Sequence, residues 1–472
     1  MESTAESIPR VVPRAEHVIS RKDLSPNALV VLRELNRRGY KAYLVGGAIR
    51  DLLVGRRPKD MDVATDASPN QVKRLFHSCR LIGRRFRLAH VHFRDDIVEV
   101  ATFRRSEADP HPAPAEAPAE AAPRTEPVPP RSTRHEGLVK AEDGRILRDN
   151  IFGTPEQDAR RRDFTVNALF YNIADFSIID YVGGLEDIRN RVIRTIGDPV
   201  SRLVEDPVRM VRAVRFAAIL GFDLDPALRQ AIGELRDHLT TASSSRMYEE
   251  VLKLFALGKA ETTLALLRDV GLFPVLFPHL ADLGAEGRER VDTRLLQAVR
   301  WLDARSARGE DLDPSLVYLF LTFPALEPAL ERLRSEGTWS MAAVGEAVHE
   351  VTARFSLRAQ IPGKVRQDIR SALWNQGRFR KTRGKYPRNF AASPEFPISL
   401  EFLRFNVSTG VSDAALLTWW DAYVNLTPGN SAPPLEEGAP AGSPRAGRRR
   451  RRGRRRRGPR DGGDKAGQER SA

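Results

Sequence analysis

"YLVGGAIRDLLVGRRPKDMDVAT", Tyr43 to Thr65, brings together two adjacent glycines, an arginine three residues on, and two aspartates separated by one residue. The run before the glycines, "KAYLV", reads as a short strand, and "AIRDLLVG" as a helical turn or two that stops at Gly55. Gly46 and Gly47 would let backbone N–H groups approach an anion closely at the opening of that helix. Arg50, one turn inside, would reach the same anion. An ordinary strand-to-helix turn requiring a left-handed backbone accounts for the glycines equally well when they are taken alone. "MDVAT" reads as the next strand. On it Asp60 and Asp62 would share one face with Cα atoms about 6.5–7 Å apart. Two carboxylates on one face repel unless they are solvated or bridged. Hard divalent ions take such oxygen-only sites, with water and substrate phosphates completing the shell.

Outward from this stretch the chain changes character three times. "SPNALVVLRELNRRGY" reads as a helix capped at Ser25 and stopped at Gly39, and "SPNQVKRLF" as a second Ser-Pro-started helix. "RLAHVHF" and "DIVEVATF" read as strands joined by a polar turn. Glu99 alternates against Val98 and Val100, so it is either a third carboxylate beside the pair or a surface glutamate on an edge strand. Residues 106–137 are rich in Ala, Pro and Glu without apolar period and read as a flexible insertion. From about Asp206 to Leu426 the pattern is helical. The last 42 residues, from Ser431, hold 13 Lys and Arg against 5 Asp and Glu, which accounts for 8 of the formal +14. A block such as "RRRRRGRRRR" cannot pack and reads as disordered, with a polyanion, most simply RNA, as its partner.

The fold class implied is α+β: a small mixed-sheet head followed by an all-helical part and a disordered Arg-rich C-terminus. No apolar run reaches the length of a membrane span, the N-terminus lacks the apolar stretch of a secretory signal, and the single cysteine, Cys79, excludes a disulfide framework. The compartment expected is the cytoplasm.

Two further constellations carry chemistry. "ARRRDFTVNALFYN" offers Asp163 beside Arg161 and Arg162, either a phosphate clamp organised by an acid or a helix start with a surface ion pair. In "EDPVRMVRAVRFAAILGF", Glu205, Arg209 and Arg212 recur at helical spacing apart from a stripe of Val208, Val211 and Val214. Asp206 and Arg209 form an ordinary ion pair or present an acceptor and a donor to a nucleotide base. "GRFRKTRGKYPRNF" interleaves Arg378, Lys381, Arg383 and Lys385 with Phe379, Tyr386 and Phe390, as base stacking with backbone neutralisation would need. A basic loop with buried aromatics fits the same letters.

Taken in order, "LVGGAIRDLLVG…KDMDV", "RRDFTVNAL" and "EDPVRMVRAVRFA" resemble the class II tRNA nucleotidyltransferase/poly(A) polymerase superfamily. "CRLIGRRFRLAHVHF", Cys79 to Phe93, resembles the signature of its bacterial poly(A) polymerase branch, and it is a basic stretch entering a strand beside the catalytic pair. The resemblance implies an extended segment at 1–22, a nucleotidyltransferase head at 23–195 and a helical neck with a nucleotide-recognition helix at 196–260. A helical body with an RNA-binding region at 261–430 and the tail at 431–472 would follow. It implies template-independent addition of AMP from ATP to RNA 3′ ends with release of pyrophosphate, with CCA addition to tRNA as the alternative. Asp60 and Asp62 would bind Mg²⁺ (or Mn²⁺), and Asp163 would join them as a catalytic acid. Gly46, Gly47, Arg50, Arg162, Asp206, Arg209 and Arg212 would hold the nucleotide, with Glu99 in support. RNA would meet Arg378, Lys381, Arg383, Lys385 and Tyr386, together with tail arginines such as Arg448, Arg449 and Arg450. A monomer acting on RNA rather than DNA is expected. A non-catalytic RNA-binding scaffold is the reading from another class, and three acids in this arrangement argue against it.

Overall fold

The computed structural model describes residues 8–83, 87–105, 139–140, 146–148, 152–281, 285–355 and 360–425. The insertion at 106–137, the tail with Arg448, Arg449 and Arg450, and Arg84 to Phe86 of the signature run lie outside the described residues. The chain divides into two units, Met1–Leu417 and Thr418–Ala472. In the second, Trp419 stacks on Tyr423 at 5.1 Å between ring centroids and meets Trp420 edge-on.

The first unit begins with an eight-stranded mixed sheet. Its strands are β1 (Arg10–Val12), β2 (Ala42–Val45), β3 (Val63–Thr65), β4 (Cys79–Ile82), β5 (Leu88–His92) and β6 (Ile97–Thr102), with two later ones, Leu169–Tyr171 and Ile178–Asp180. Across the sheet the order is β1, Ile178–Asp180, Leu169–Tyr171, β2, β3, β6, β5, β4. The stretch expected to be merely extended at the N-terminus thus contributes the edge strand, paired at Val11↔Ile179. Helix α1 (Pro26–Arg37) is capped by the Ser25 hydroxyl, which accepts from the Ala28 N–H. α2 (Gly47–Leu53) and α3 (Pro69–Leu75) follow, and their apolar sides cover one sheet face together with Val63, Val91, Val98 and Val100.

α4 (Pro155–Arg160) and α5 (Gly184–Asn190) complete the first part. From α6 (Pro199–Glu205) the chain is helical, through α7 (Val208–Leu220), α8 (Pro226–Leu235), α9 (Ser244–Phe255) and on to Ala414–Val424. One element was not expected there: Val192–Ile193 pairs in parallel with Asp223–Leu224. The valine stripe of α7 behaves as read, Val208, Val211 and Val214 being fully buried in a core that runs from Phe164 to Phe405.

Two expectations are corrected. Asp60 and Asp62 precede β3 rather than lie on it. The ladder ends because β2 turns away at Gly46 (φ 75°), leaving the Val45 N–H to Asp62 carbonyl bond as its last rung. Glu99 is not on an edge, since β6 is paired on both sides, with β3 and with β5.

Candidate active site

Gly46 ends β2 in a left-handed conformation that a side chain would strain. A Cβ there would stand 3.1 Å from Nη1 of Arg162, and one on Gly47 would stand 3.3 Å from Nη2 of Arg50. Two guanidiniums therefore lie against bare backbone, which is the local reason for the glycine pair. Arg50, in the first turn of α2, is buried. It donates to the Asp51 carboxylate and the Asn167 side-chain oxygen, and stands 4.9 Å from the Phe216 ring centre.

These groups line one cavity of about 450 Å³. It gathers Gly46, Gly47, Arg50, Asp62, Arg162, Asp163, Asp206, Arg209 and Arg212, nine of the residues singled out from the sequence, together with Arg161 of the same doublet and with Asn167, Phe216 and Arg246. Six arginines face three aspartates, a balance suited to a polyanion such as a triphosphate.

Buried carboxylates hold the arginines in place. Asp158, 1% exposed within α4, accepts from Arg161 on one oxygen (2.7 Å) and from Arg162 on the other (2.9 Å). Burial pushes its pKa up, yet the Arg162 and Arg161 charges outweigh that and hold it below the ordinary carboxylate value. Asp163 accepts a two-pronged bond from Arg212 (2.8 and 2.6 Å) and one from the Asn167 amide. It too is held low against the effect of burial, first by Arg212. Glu250 on α9 binds Arg212 from the other side and also pairs with Arg215. Asp163 thus fixes Arg212, while the Arg161–Arg162 doublet of its motif is held by Asp158 instead.

Asp62 differs from these. Its side chain reaches solvent at the cavity mouth, but the surrounding protein, then the charges of Glu99 and Asp60, push its pKa up to about 6, with Arg162 opposing. Asp60 opens instead onto a neighbouring cavity of about 780 Å³ with Lys59, Arg57 and Lys22. Glu99 lies beside Asp62 on β6, with His90 Nε2 at 3.4 Å from its Oε1. Among the described residues no group of three or more His, Cys, Asp and Glu side chains closes on a common point. A divalent ion at the Asp60–Asp62 pair would therefore complete its shell with water and substrate phosphates, as Mg²⁺ ordinarily does.

The expected pair of Asp206 with Arg209 is not formed. Asp206 binds Arg246 of α9 (2.6 and 3.0 Å), and Arg209 binds Glu205 (2.6 Å) one turn before it. Asp206 also accepts from the Val208 N–H (3.3 Å) just ahead of α7. Both side chains still line the cavity.

The basic loop divides between its two readings. Phe379 and Phe390 are fully buried against Phe396. Arg378 lies over Phe390 (4.3 Å) and donates to the Tyr386 hydroxyl, while Lys381 sits 4.8 Å over the Tyr386 ring. The aromatic faces are thus taken by cations of the loop itself. Lys381, Arg383 and Lys385 remain exposed.

Sequence reasoning missed Asp158, Asn167, Arg246 and Glu250. Asp158 had a signal, standing three and four residues before Arg161 and Arg162. Arg246 and Glu250 had none, since only the packing of α9 on α7 brings them in.

Three family models match the chain: the poly A polymerase head domain over residues 42–194, a probable RNA and SrmB-binding site of polymerase A over 221–283, and the polymerase A arginine-rich C-terminus over 336–457. Poly(A) polymerase I of Salmonella typhimurium is 39% identical over 436 residues, covering 91% of this chain and 87% of that protein. A CCA-adding enzyme of Bacillus licheniformis is 35% identical over 242 residues, 51% of this chain and 53% of that one. Among solved structures, a tRNA-processing enzyme in its apo form superposes with a TM-score of 0.53 at 19% identity, over 88% of this chain and 95% of that one, a likeness of fold.

Proposed function

Since this chain belongs to the poly(A) polymerase I family of nucleotidyltransferases, we propose that it adds AMP from ATP to RNA 3′ ends without a template and releases pyrophosphate. The observation that carries the reading is the cavity in which nine residues chosen from the sequence converge on an excess of fixed arginines beside Asp62.

Arg50 and Arg162, lying against Gly46 and Gly47, neutralise the β- and γ-phosphates and the charge that develops as pyrophosphate leaves. Asp158 and Asp163 keep Arg162 and Arg212 in fixed orientations, so little reorganisation accompanies the reaction. Asp206 and Arg209, anchored separately by Arg246 and Glu205, offer an acceptor and a donor for the edge of the adenine. The carboxylates of Asp60 and Asp62, supported by Glu99, are hard oxygen donors whose mutual repulsion a divalent cation would relieve, which suits Mg²⁺ or Mn²⁺. When bound, such ions lower the pKa of the attacking hydroxyl and stabilise the departing oxygen.

CCA addition is the second reading, favoured by the partial match to CCA-adding enzymes. Incubation with each of the four NTPs, on an unstructured RNA and on a tRNA lacking CCA, separates the two. ATP alone should be incorporated on the unstructured RNA, in long runs. CTP incorporation on the tRNA that stops after three nucleotides would reverse the choice.

A further inference from the structure

Asp62 precedes β3, and β3 has unlike neighbours. On one side stands β2, which ends in the Gly46 turn and leads to the arginine cavity; on the other lie β6, β5 and β4 in turn. Cys79, Ala89, Val91, Val98 and Val100 of these three strands point into the core under the helices. The alternate residues occupy the opposite face. There the register sets Arg80 against His90 and His90 against Glu99. Glu99 precedes Val100, the partner of Val63, so it neighbours Asp62 in the same line. Four polar side chains thus run laterally across the sheet: Asp62, Glu99, His90, Arg80. Arg80 is exposed, and among the described residues it forms no ion pair.

We propose that His90 and Arg80 seat the 3′-terminal nucleotide of the RNA primer, an inference that rests on the nucleotidyl-transfer reading above. Displacement at phosphorus is in line, so the attacking hydroxyl arrives opposite the departing pyrophosphate. The polyphosphate cavity lies on the β2 side of Asp62; the hydroxyl therefore approaches from the β6 side, over Glu99. The nucleotide that carries it extends over β5 and β4. His90 meets the ribose there as a hydrogen-bonding group, and Arg80 takes the next backbone phosphate. This gives physical content to His90, the histidine of the run "GRRFRLAHV": it belongs to the outer half of the primer seat rather than to the nucleotide pocket. A merely solvated sheet face would have no bearing on RNA affinity in turnover.

The test uses the full-length protein, ATP, Mg²⁺ and an unstructured RNA oligonucleotide, with the variants Arg80→Ala, His90→Ala, His90→Gln and Asp62→Asn. Arg80→Ala and His90→Ala should each raise the KM for RNA about tenfold, the scale of one hydrogen bond to a charged group, with the KM for ATP unchanged. Arg80→Ala should also flatten the dependence of log KM for RNA on log salt by about 0.7, one phosphate contact on a single strand. His90→Gln, which keeps a donor, should recover most of the loss. An unchanged KM for RNA in both alanine variants, or a rise in the KM for ATP instead, overturns the seat while wild-type activity and an inactive Asp62→Asn leave the underlying reading intact. Absent AMP incorporation by wild type, or a fully active Asp62→Asn, would instead remove that reading. Arg80 is exposed, so its variant carries the test even where thermal melting shows His90→Ala to be misfolded.

Discussion

Arginines crowd two regions of this molecule and are held in opposite ways. Around the arginine-lined cavity, Arg161 and Arg162 donate to the buried Asp158 and Arg212 to the buried Glu250, and those carboxylates belong to the packed structure. In the loop from Gly377 to Phe390, Arg378 and Lys381 lie over aromatic rings, and Lys385 is exposed. The first arrangement fixes guanidiniums at set positions, as recognition of one compact polyphosphate requires. The second leaves the charges adaptable, as contact with a long polyanion of any sequence allows. On the proposed reading the same residue type would serve a shaped site in one place and a diffuse field in the other, and the acids behind the cations would make the difference.

The sharpest break in this comparison is to remove an acid that, among the described residues, no arginine holds. If the pair holds a divalent ion as proposed, Asp60→Ala should abolish AMP incorporation, by at least about a thousandfold. RNA binding by gel shift should stay close to wild type. Undiminished tailing by this variant would defeat the assignment of the pair. The next largest effect should come from an acid that does hold arginines. Asp158→Asn leaves two guanidiniums facing a neutral amide in a buried place, a change that costs about 3–5 kcal/mol in broken buried pairs. Part of the Arg161 and Arg162 charge stays near solvent, so the lower end is expected. Urea denaturation measures the loss. Steady-state kinetics should show a raised KM for ATP with little change in that for RNA. A variant as stable as wild type would mean that the arginines do not depend on this partner.

What the sequence disclosed follows the same division between local and remote causes. Ser25 before Pro26, Ser68 before Pro69 and the glycine at position 46 act on residues at most four away, and their helices and turn appear where they were expected. The misplacement of Asp60 and Asp62 on a strand has a remote cause. Their stretch alternates well enough, but the length of β3 is set by where its partner β2 turns away, more than a dozen residues earlier. Asp206 and Arg209 have a similar history. One turn of helix separates them, so pairing looked natural, yet α9 brings Arg246 from 40 residues onward to claim Asp206. Identities of the cavity residues were legible because their types and order are distinctive. Their partners were not, because tertiary packing chooses among several acids at similar spacing.

Smaller effects sharpen the contrast further. In the basic loop, Lys385→Ala should weaken RNA binding only about two- to threefold at moderate salt, the scale of one exposed charge. It should leave the KM for ATP alone. Filter binding over a salt series reads it, and a tenfold loss would show that the loop is a shaped site after all.

The smallest effect isolates Asp62 without any substrate. Its folded pKa of about 6 exceeds the ordinary 3.8, so between those values the folded protein binds more protons than the unfolded chain. Stability contributed by this group is therefore present at low pH and declines as pH rises through 4 to 6, where the charge forms beside Glu99 and Asp60. Asp62→Asn removes that charge. With chelator present, so that no divalent ion offsets the repulsion, the variant should melt about 2 °C higher than wild type at pH 7.5. The gap should close as pH falls below 5, where wild type is protonated too. Added Mg²⁺ should raise the melting temperature of wild type but not of the variant. Equal melting curves at both pH values would mean that Asp62 carries no such strain, and that the carboxylates stand too far apart to share a cation.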